Sequence, residues 1–158
     1  MQALAIVVAD ASRARLFTFK REDDLAPAPV LRERVDLVSL ERRQRGTEVY
    51  SQAQPAGVTP TGRGFAIDDH RDAHTDEVDR RFAEQVMSRL ASLTEETACR
   101  RVALVASPRF LGHLREHAGL IRQRGLALEE VARDLTRETA PKLREHLGEL
   151  GVLPAGKH

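Results

Sequence analysis

A chain of 158 residues lies within the range of one domain and is long enough for one sizeable core. With 41% hydrophobic and 31% charged residues it is too apolar to be wholly disordered, and its formal charge of +1 supplies no global field for a polyanion, so nucleic-acid binding would need a local patch. The single cysteine, Cys99, excludes an intramolecular disulfide and a cysteine-rich zinc site and fits a reducing compartment, so a cytoplasmic location is expected.

Leu4 to Ala9 is continuous aliphatic sequence, the pattern of a strand covered on both faces. Asp10 and Arg13 close the run too early for a signal peptide or a membrane span, so no membrane partner is expected. After the turn-like Asp10-Ala11-Ser12, residues 13–19 alternate, with Arg13, Arg15, Phe17 and Phe19 on one face and Ala14, Leu16 and Thr18 on the other. Together these segments predict a β-hairpin. Beyond Pro27 and Pro29, Val30 to Val38 scatters Leu31, Val35 and Leu37 among charges, which predicts a strand nearer the sheet edge.

Periodicity is lost over residues 41–75, where Gly, Pro and polar residues predict a long loop, a feature usually functional or disordered. Thr75 is the expected N-cap of the longest helix, with Asp76 and Glu77 in its first turn and Val78, Phe82, Val86, Leu90 and Leu93 at helical spacing. Val102 to Ala106 is a second aliphatic strand, followed by Ser107-Pro108 and a helix carrying Phe110, Leu111, Leu114 and Ala118. Leu128, Val131 and Leu135 fit a last strand loosely. A final helix over residues 138–150 carries Ala140, Leu143, Leu147 and Leu150 and stops at Gly151. The expected fold is a single α/β domain over residues 1–150, a mixed β-sheet with an N-terminal β-hairpin and helices packed on it, followed by a fraying tail at 151–158.

Three stretches resemble one known family. Val8 to Phe17 (VADASRARLF) is similar to the opening hairpin of the bacterial host-attachment proteins, Val105 to Arg115 (VASPRFLGHLR) to their strand-to-helix segment, and Ala132 to Thr136 (ARDLT) to their penultimate motif. The resemblance runs in order over nearly the whole chain. It implies a role in attachment to host cells, which is a phenotype and not a chemistry. More remotely, the layout resembles the middle domain of archaeal and eukaryotic peptide release factors, an RNase H-like layout in which a loop ahead of a long helix enters the ribosome. In that comparison Gly62, Arg63, Gly64 and Phe65 fall at the loop tip, where the release factors' catalytic glutamine has no counterpart here.

Several constellations carry candidate chemistry. Arg13 and Arg15, with Arg63, Gly62, Gly64 and Phe65, would form an RNA-backbone patch if the fold brings them together; flanking carboxylates are the competing partners. Ser107 and Arg109 open a helix where an anion could bind, or Ser107 is simply its cap. His70 and His74 lie four apart with Asp72 between them, a spacing that could hold a divalent metal on a continuous helix, whereas a Thr75 cap would leave His70 in the loop. Asp134 and Thr136 could supply polar chemistry at a strand end, or serve as a turn and cap before the last helix, the structural reading being favoured. Cys99 sits in an acidic context unsuited to an activated thiol, and no G-x-S-x-G, P-loop or dinucleotide motif occurs. The expectation is therefore a non-enzymatic RNA- or ribosome-associated domain without a cofactor. A hydrolase acting on an ester or phosphodiester of tRNA and a module recognising a protein partner are the alternatives.

Overall fold

The computed structural model describes residues 3–23, 25, 27–44 and 64–154, with residues 64–72 described by backbone alone. The chain runs β1 (Leu4–Ala9), β2 (Arg13–Lys20), β3 (Val30–Val38), α1 (Gly64–Thr97), β4 (Arg101–Ala106), α2 (Pro108–Glu116), α3 (Gly119–Arg122), β5 (Ala127–Ala132) and α4 (Ala140–Glu149). A short helical stretch also covers residues 40–44.

The strands form one five-stranded mixed sheet in the order β3-β2-β1-β4-β5. β1 pairs antiparallel with β2 and parallel with β4, β2 is antiparallel to β3, and β4 is parallel to β5. The predicted hairpin is β1–β2, and β3 is an edge strand. All six residues of β1 are buried, because helices cover both faces of the central strands.

The period of two along a strand divides the core into two layers. Ala5, Val7 and Ala9 of β1, with Leu104 of β4, pack against Phe82, Val86 and Leu90 of α1 and Leu114 of α2. Leu4, Ile6 and Val8, with Phe17 and Phe19 of β2, face Leu143 and Leu147 of α4. Each fully buried Leu, Ile or Val contributes roughly 1.5–3 kcal/mol relative to exposure, so the sheet centre is where the fold is held most firmly.

Three sequence expectations are corrected. The long helix begins at Gly64 and not at a Thr75 cap, so the predicted loop loses its last third to helix. None of residues 73–77 is buried, so the apolar period that marks a buried face is missing there, whereas Val78 is buried. The tail does not fray at once: Val152 and Leu153 are buried against the α4 side of the sheet, and the Val152 and Leu153 N–H groups donate to the Leu147 carbonyl. The last strand ends at Ala132, so Leu135 reaches the core from the loop beyond it.

Candidate functional site

β1 and β4 are parallel neighbours, so their carboxyl ends open on the same edge of the sheet, where a cleft of about 260 Å³ lies. Asp10, Ala11 and Ser12, the turn between β1 and β2, form one wall. Ser107, Arg109 and Phe110, from the β4–α2 junction, form the second, and Arg42 with Asp79 of α1 closes the third.

The turn wall is held by Asp10. Its Oδ1 accepts the Ser12 and Arg13 backbone N–H groups at 2.8 and 2.9 Å, and its Oδ2 accepts the Thr136 hydroxyl at 3.0 Å. Thr136 also lies within hydrogen-bonding distance of Asp134 through both its N–H and its hydroxyl, the turn expected from Asp134 and Thr136. The hairpin is thereby tied to a segment more than a hundred residues away.

At the second wall, Pro108 occupies the first turn of α2 and Leu111 N–H donates to the Ser107 carbonyl. Ser107 stands at the N-cap position, yet its side chain makes no capping hydrogen bond, so the structural role expected of its hydroxyl is absent. The Ser107 N–H donates to the Ala9 carbonyl and locks the start of α2 to the end of β1. The third wall is an ion pair: Arg42 Nη1 donates to both Asp79 carboxylate oxygens at 2.8 and 2.9 Å. Asp79 is only 2% exposed, so removing Arg42 would leave a buried charge uncompensated, at a cost of about 3–5 kcal/mol.

Asp79 also belongs to a second group, in which it and Asp76, one turn apart on α1, face His113 on α2. One ligand-type atom from each lies within 4.8 Å of the others. Arg109 donates to Asp76 Oδ1 and holds that carboxyl below the usual carboxylate range. His113 is 8% exposed, and both ring nitrogens are buried without a hydrogen-bond partner among the described residues. Its Nε2 lies 3.8 Å from Asp76 Oδ1, beyond hydrogen-bond length. A buried, unsatisfied polar atom costs about 1–3 kcal/mol.

The structure separates the other residues singled out in the sequence. Arg13 is committed to Asp36 through two hydrogen bonds at 2.9 and 2.6 Å. Arg15 is only 7% exposed. It forms two bonds to Glu33 and donates to the carbonyls of Thr136 and Glu138, because residues beyond β5 lie over that face of β2. Both arginines therefore hold the protein's own carboxylates and carbonyls. Gly64 and Phe65 fall in the first turn of α1, and Gly62 and Arg63 lie outside the described residues. The backbone is helical from His70 to His74; His74 is exposed, while the side chains of His70 and Asp72 lie outside the description. Cys99 is buried.

Sequence reasoning found Ser107 and Arg109 and missed Arg42, Asp79 and His113 as site residues. A usable signal was present. Asp79 shares the buried helical stripe of Ala83, Val86 and Leu90, and His113 stands three residues after Phe110 on the apolar face of α2. A charged or polar residue on such a stripe needs a partner.

A family profile described as "Protein required for attachment to host cells" matches residues 5–147. No curated protein matches the chain. Among solved structures it is similar to the Aquifex aeolicus Ppx/GppA phosphatase, at 15% identity over 83% of this chain and 36% of that one, with a TM-score of 0.40. A second structure, of the Aquifex aeolicus PPX-GPPA enzyme, is 18% identical over 82% of this chain and 36% of that chain, with a TM-score of 0.40. The chain thus spans little more than a third of the length of these structures.

Proposed function

The chain belongs to the family of proteins required for attachment to host cells, and from that premise we propose that its molecular task is to bind a phosphate-bearing ligand, RNA by preference, in the cleft at the strand ends. One observation carries the reading. At the head of α2 the Ser107 hydroxyl is not spent on capping, and it shares a cleft with a helix N-terminus and with Arg109 and Arg42, whose guanidiniums also hold Asp76 and Asp79. That combination is suited to phosphate oxygens. The volume accommodates one phosphate with part of a nucleoside, less than the 300–1,000 Å³ of pockets that enclose a whole small molecule, as expected for a site gripping one nucleotide of a strand.

The strand order, antiparallel on one side of β1 and parallel on the other, supports the RNase H-like, release-factor-like part of this reading. Arg13 and Arg15 leave it, because neither lines the cleft and each is held elsewhere, Arg13 by Asp36 and Arg15 by Glu33 and two backbone carbonyls. Host attachment is then an indirect consequence of binding RNA or the ribosome.

The test is fluorescence anisotropy of a labelled single-stranded RNA at 50 and 200 mM salt. Two cationic contacts to phosphate give a log–log slope near −1.4, so affinity falls about sevenfold over that interval. Arg109→Gln reduces both the affinity and the slope while the circular dichroism spectrum is unchanged. Wild-type protein that binds no RNA at 50 mM salt and does not co-sediment with ribosomes overturns the reading.

A hydrolytic reading on a tRNA ester or phosphodiester has one feature in its favour, the carboxylates of Asp10 and Asp79 on the same cleft. Release of amino acid or peptide from charged tRNA, lost in Asp79→Asn, would establish it.

A further inference from the structure

We propose that Asp76, Asp79 and His113 form a binding site for one divalent first-row transition-metal ion, with Zn²⁺ as its representative. The inference stands on the geometry of these three side chains and does not depend on the phosphate-ligand reading.

Acidic groups close together are commonplace, and the two carboxylates alone would carry no such conclusion. His113 supplies the independent observation. It is a polar side chain nine-tenths buried, both ring nitrogens lack a hydrogen-bond partner among the described residues, and Nε2 points to within 3.8 Å of Asp76 Oδ1. Buried histidines ordinarily hold at least one hydrogen bond, and an unsatisfied one asks for a missing partner. The missing partner must also suit two carboxylates, which a hydrogen-bond donor could do singly but a cation does for all three at once.

The spacing agrees. Around a tetrahedral ion with bonds of about 2.1 Å, ligand atoms stand roughly 3.4 Å apart. The Asp76–His113 pair is already close to that separation, and the three atoms, all within 4.8 Å of one another, reach it by small side-chain rotations. The frame is rigid enough to hold them: Asp76 and Asp79 are successive turns of one face of α1, and Phe82 and Phe110, with ring centroids 5.7 Å apart, pack α1 against α2 just beyond the cluster. The donor set of one imidazole and two carboxylates selects a borderline ion such as Zn²⁺ over the hard Mg²⁺. Arg42 and Arg109 do not block it, since a carboxylate offers about four lone-pair sites and each arginine takes only some of them. They become the outer partners that orient the ligands. Three protein ligands would leave a fourth position for water or a ligand oxygen.

The experiment is calorimetric titration of the chelator-treated full chain with Zn²⁺, with Co²⁺ absorption as the spectroscopic readout. The expected result is one ion per chain and a cobalt spectrum of low coordination number. His113→Gln weakens binding at least ~100-fold, the upper range for loss of an outer-sphere partner and so a lower bound for a ligand. Asp76→Asn, at a position where the side chain is 32% exposed and folding is little at risk, weakens it likewise. The double variant His70→Gln/His74→Gln binds as the wild type does. Absence of stoichiometric binding, binding that survives both His113→Gln and Asp76→Asn, or loss that follows His70 and His74 overturns the proposal.

Discussion

Replacing Arg15 with Ala separates a surface contact from a structural one. Arg15 donates to the Thr136 carbonyl at 3.1 Å and to the Glu138 carbonyl at 2.7 Å, and it lies 5.1 Å from the Phe17 ring centroid. Hydrogen bonds from a charged donor contribute about 1.5–3 kcal/mol each, and here two carbonyls would lose theirs at a largely buried site. The Glu33 side chain, one-third exposed, can turn to water, so its pair adds little. The loss is therefore about 3–5 kcal/mol, against a total stability on the order of 5–15 kcal/mol. For a chain of this size that is a Tm lowered by roughly 6–20 °C. Urea unfolding followed by circular dichroism measures it directly, and Arg15→Lys should fall between the two because an ammonium cannot span Glu33, Thr136 and Glu138 at once. A natively folded Arg15→Ala losing less than ~1 kcal/mol would refute the reasoning, and weaker RNA binding at unchanged stability would return Arg15 to the ligand surface.

Two further outcomes are expected. Ala98 closes α1 at φ 54°, with Cys99 N–H bonded to the Thr94 carbonyl; Ala98→Gly relieves the left-handed strain and raises stability by about 0.5–1 kcal/mol, read as a higher urea midpoint. Asp36 titrates below the usual carboxylate range, chiefly through its hydrogen bond to Arg13. Its folded pKa is depressed, so its contribution is present above about pH 4 and lost as the pH falls through the folded value. Arg13→Gln should therefore lower the Tm at pH 6 by a small amount and by progressively less as the pH falls below about 4, a trend that pH-resolved melting would detect.

The parts of the fold legible in the sequence are those whose burial is local. β1 and β4 stand out as aliphatic runs because both faces are covered, and the alternation in β2 correctly groups Arg15 with Phe17 and Phe19. Alternation tells which residues share a face but not what covers it. The cover over Arg15 comes from residues 121 and 123 positions away, a distance no local pattern encodes. Residues 73–77 of α1 are hidden because none of them is buried, so they carry no period to read. The cleft was half legible. A strand ending in Ser-Pro announces a helix start, so Ser107 and Arg109 were found. Arg42 and Asp79 meet only because β3 returns along the sheet and delivers residues 40–44 to the flank of α1.

The charge balance at the strand ends links the two proposed ligands. Asp10, Asp76 and Asp79 face Arg42 and Arg109 at the strand ends, three carboxylates to two guanidiniums. A phosphate approaching the metal-free site is helped by Arg109 but opposed by that excess. A divalent ion at Asp76, Asp79 and His113 reverses the sign, adding two positive charges beside the cleft that Asp79 lines, at a distance taken to be on the order of 8 Å from a phosphate there. Even at the dielectric constant of water this amounts to about 1 kcal/mol. Single-stranded RNA should therefore bind the Zn²⁺-loaded protein about fivefold or more tightly than the metal-free protein, and His113→Gln should abolish the difference while retaining the metal-free affinity. Equal affinity with and without bound Zn²⁺ would mean that the cleft and the three-residue cluster act separately, because two charges at that distance cannot be silent if the phosphate sits where Ser107 and Arg109 place it.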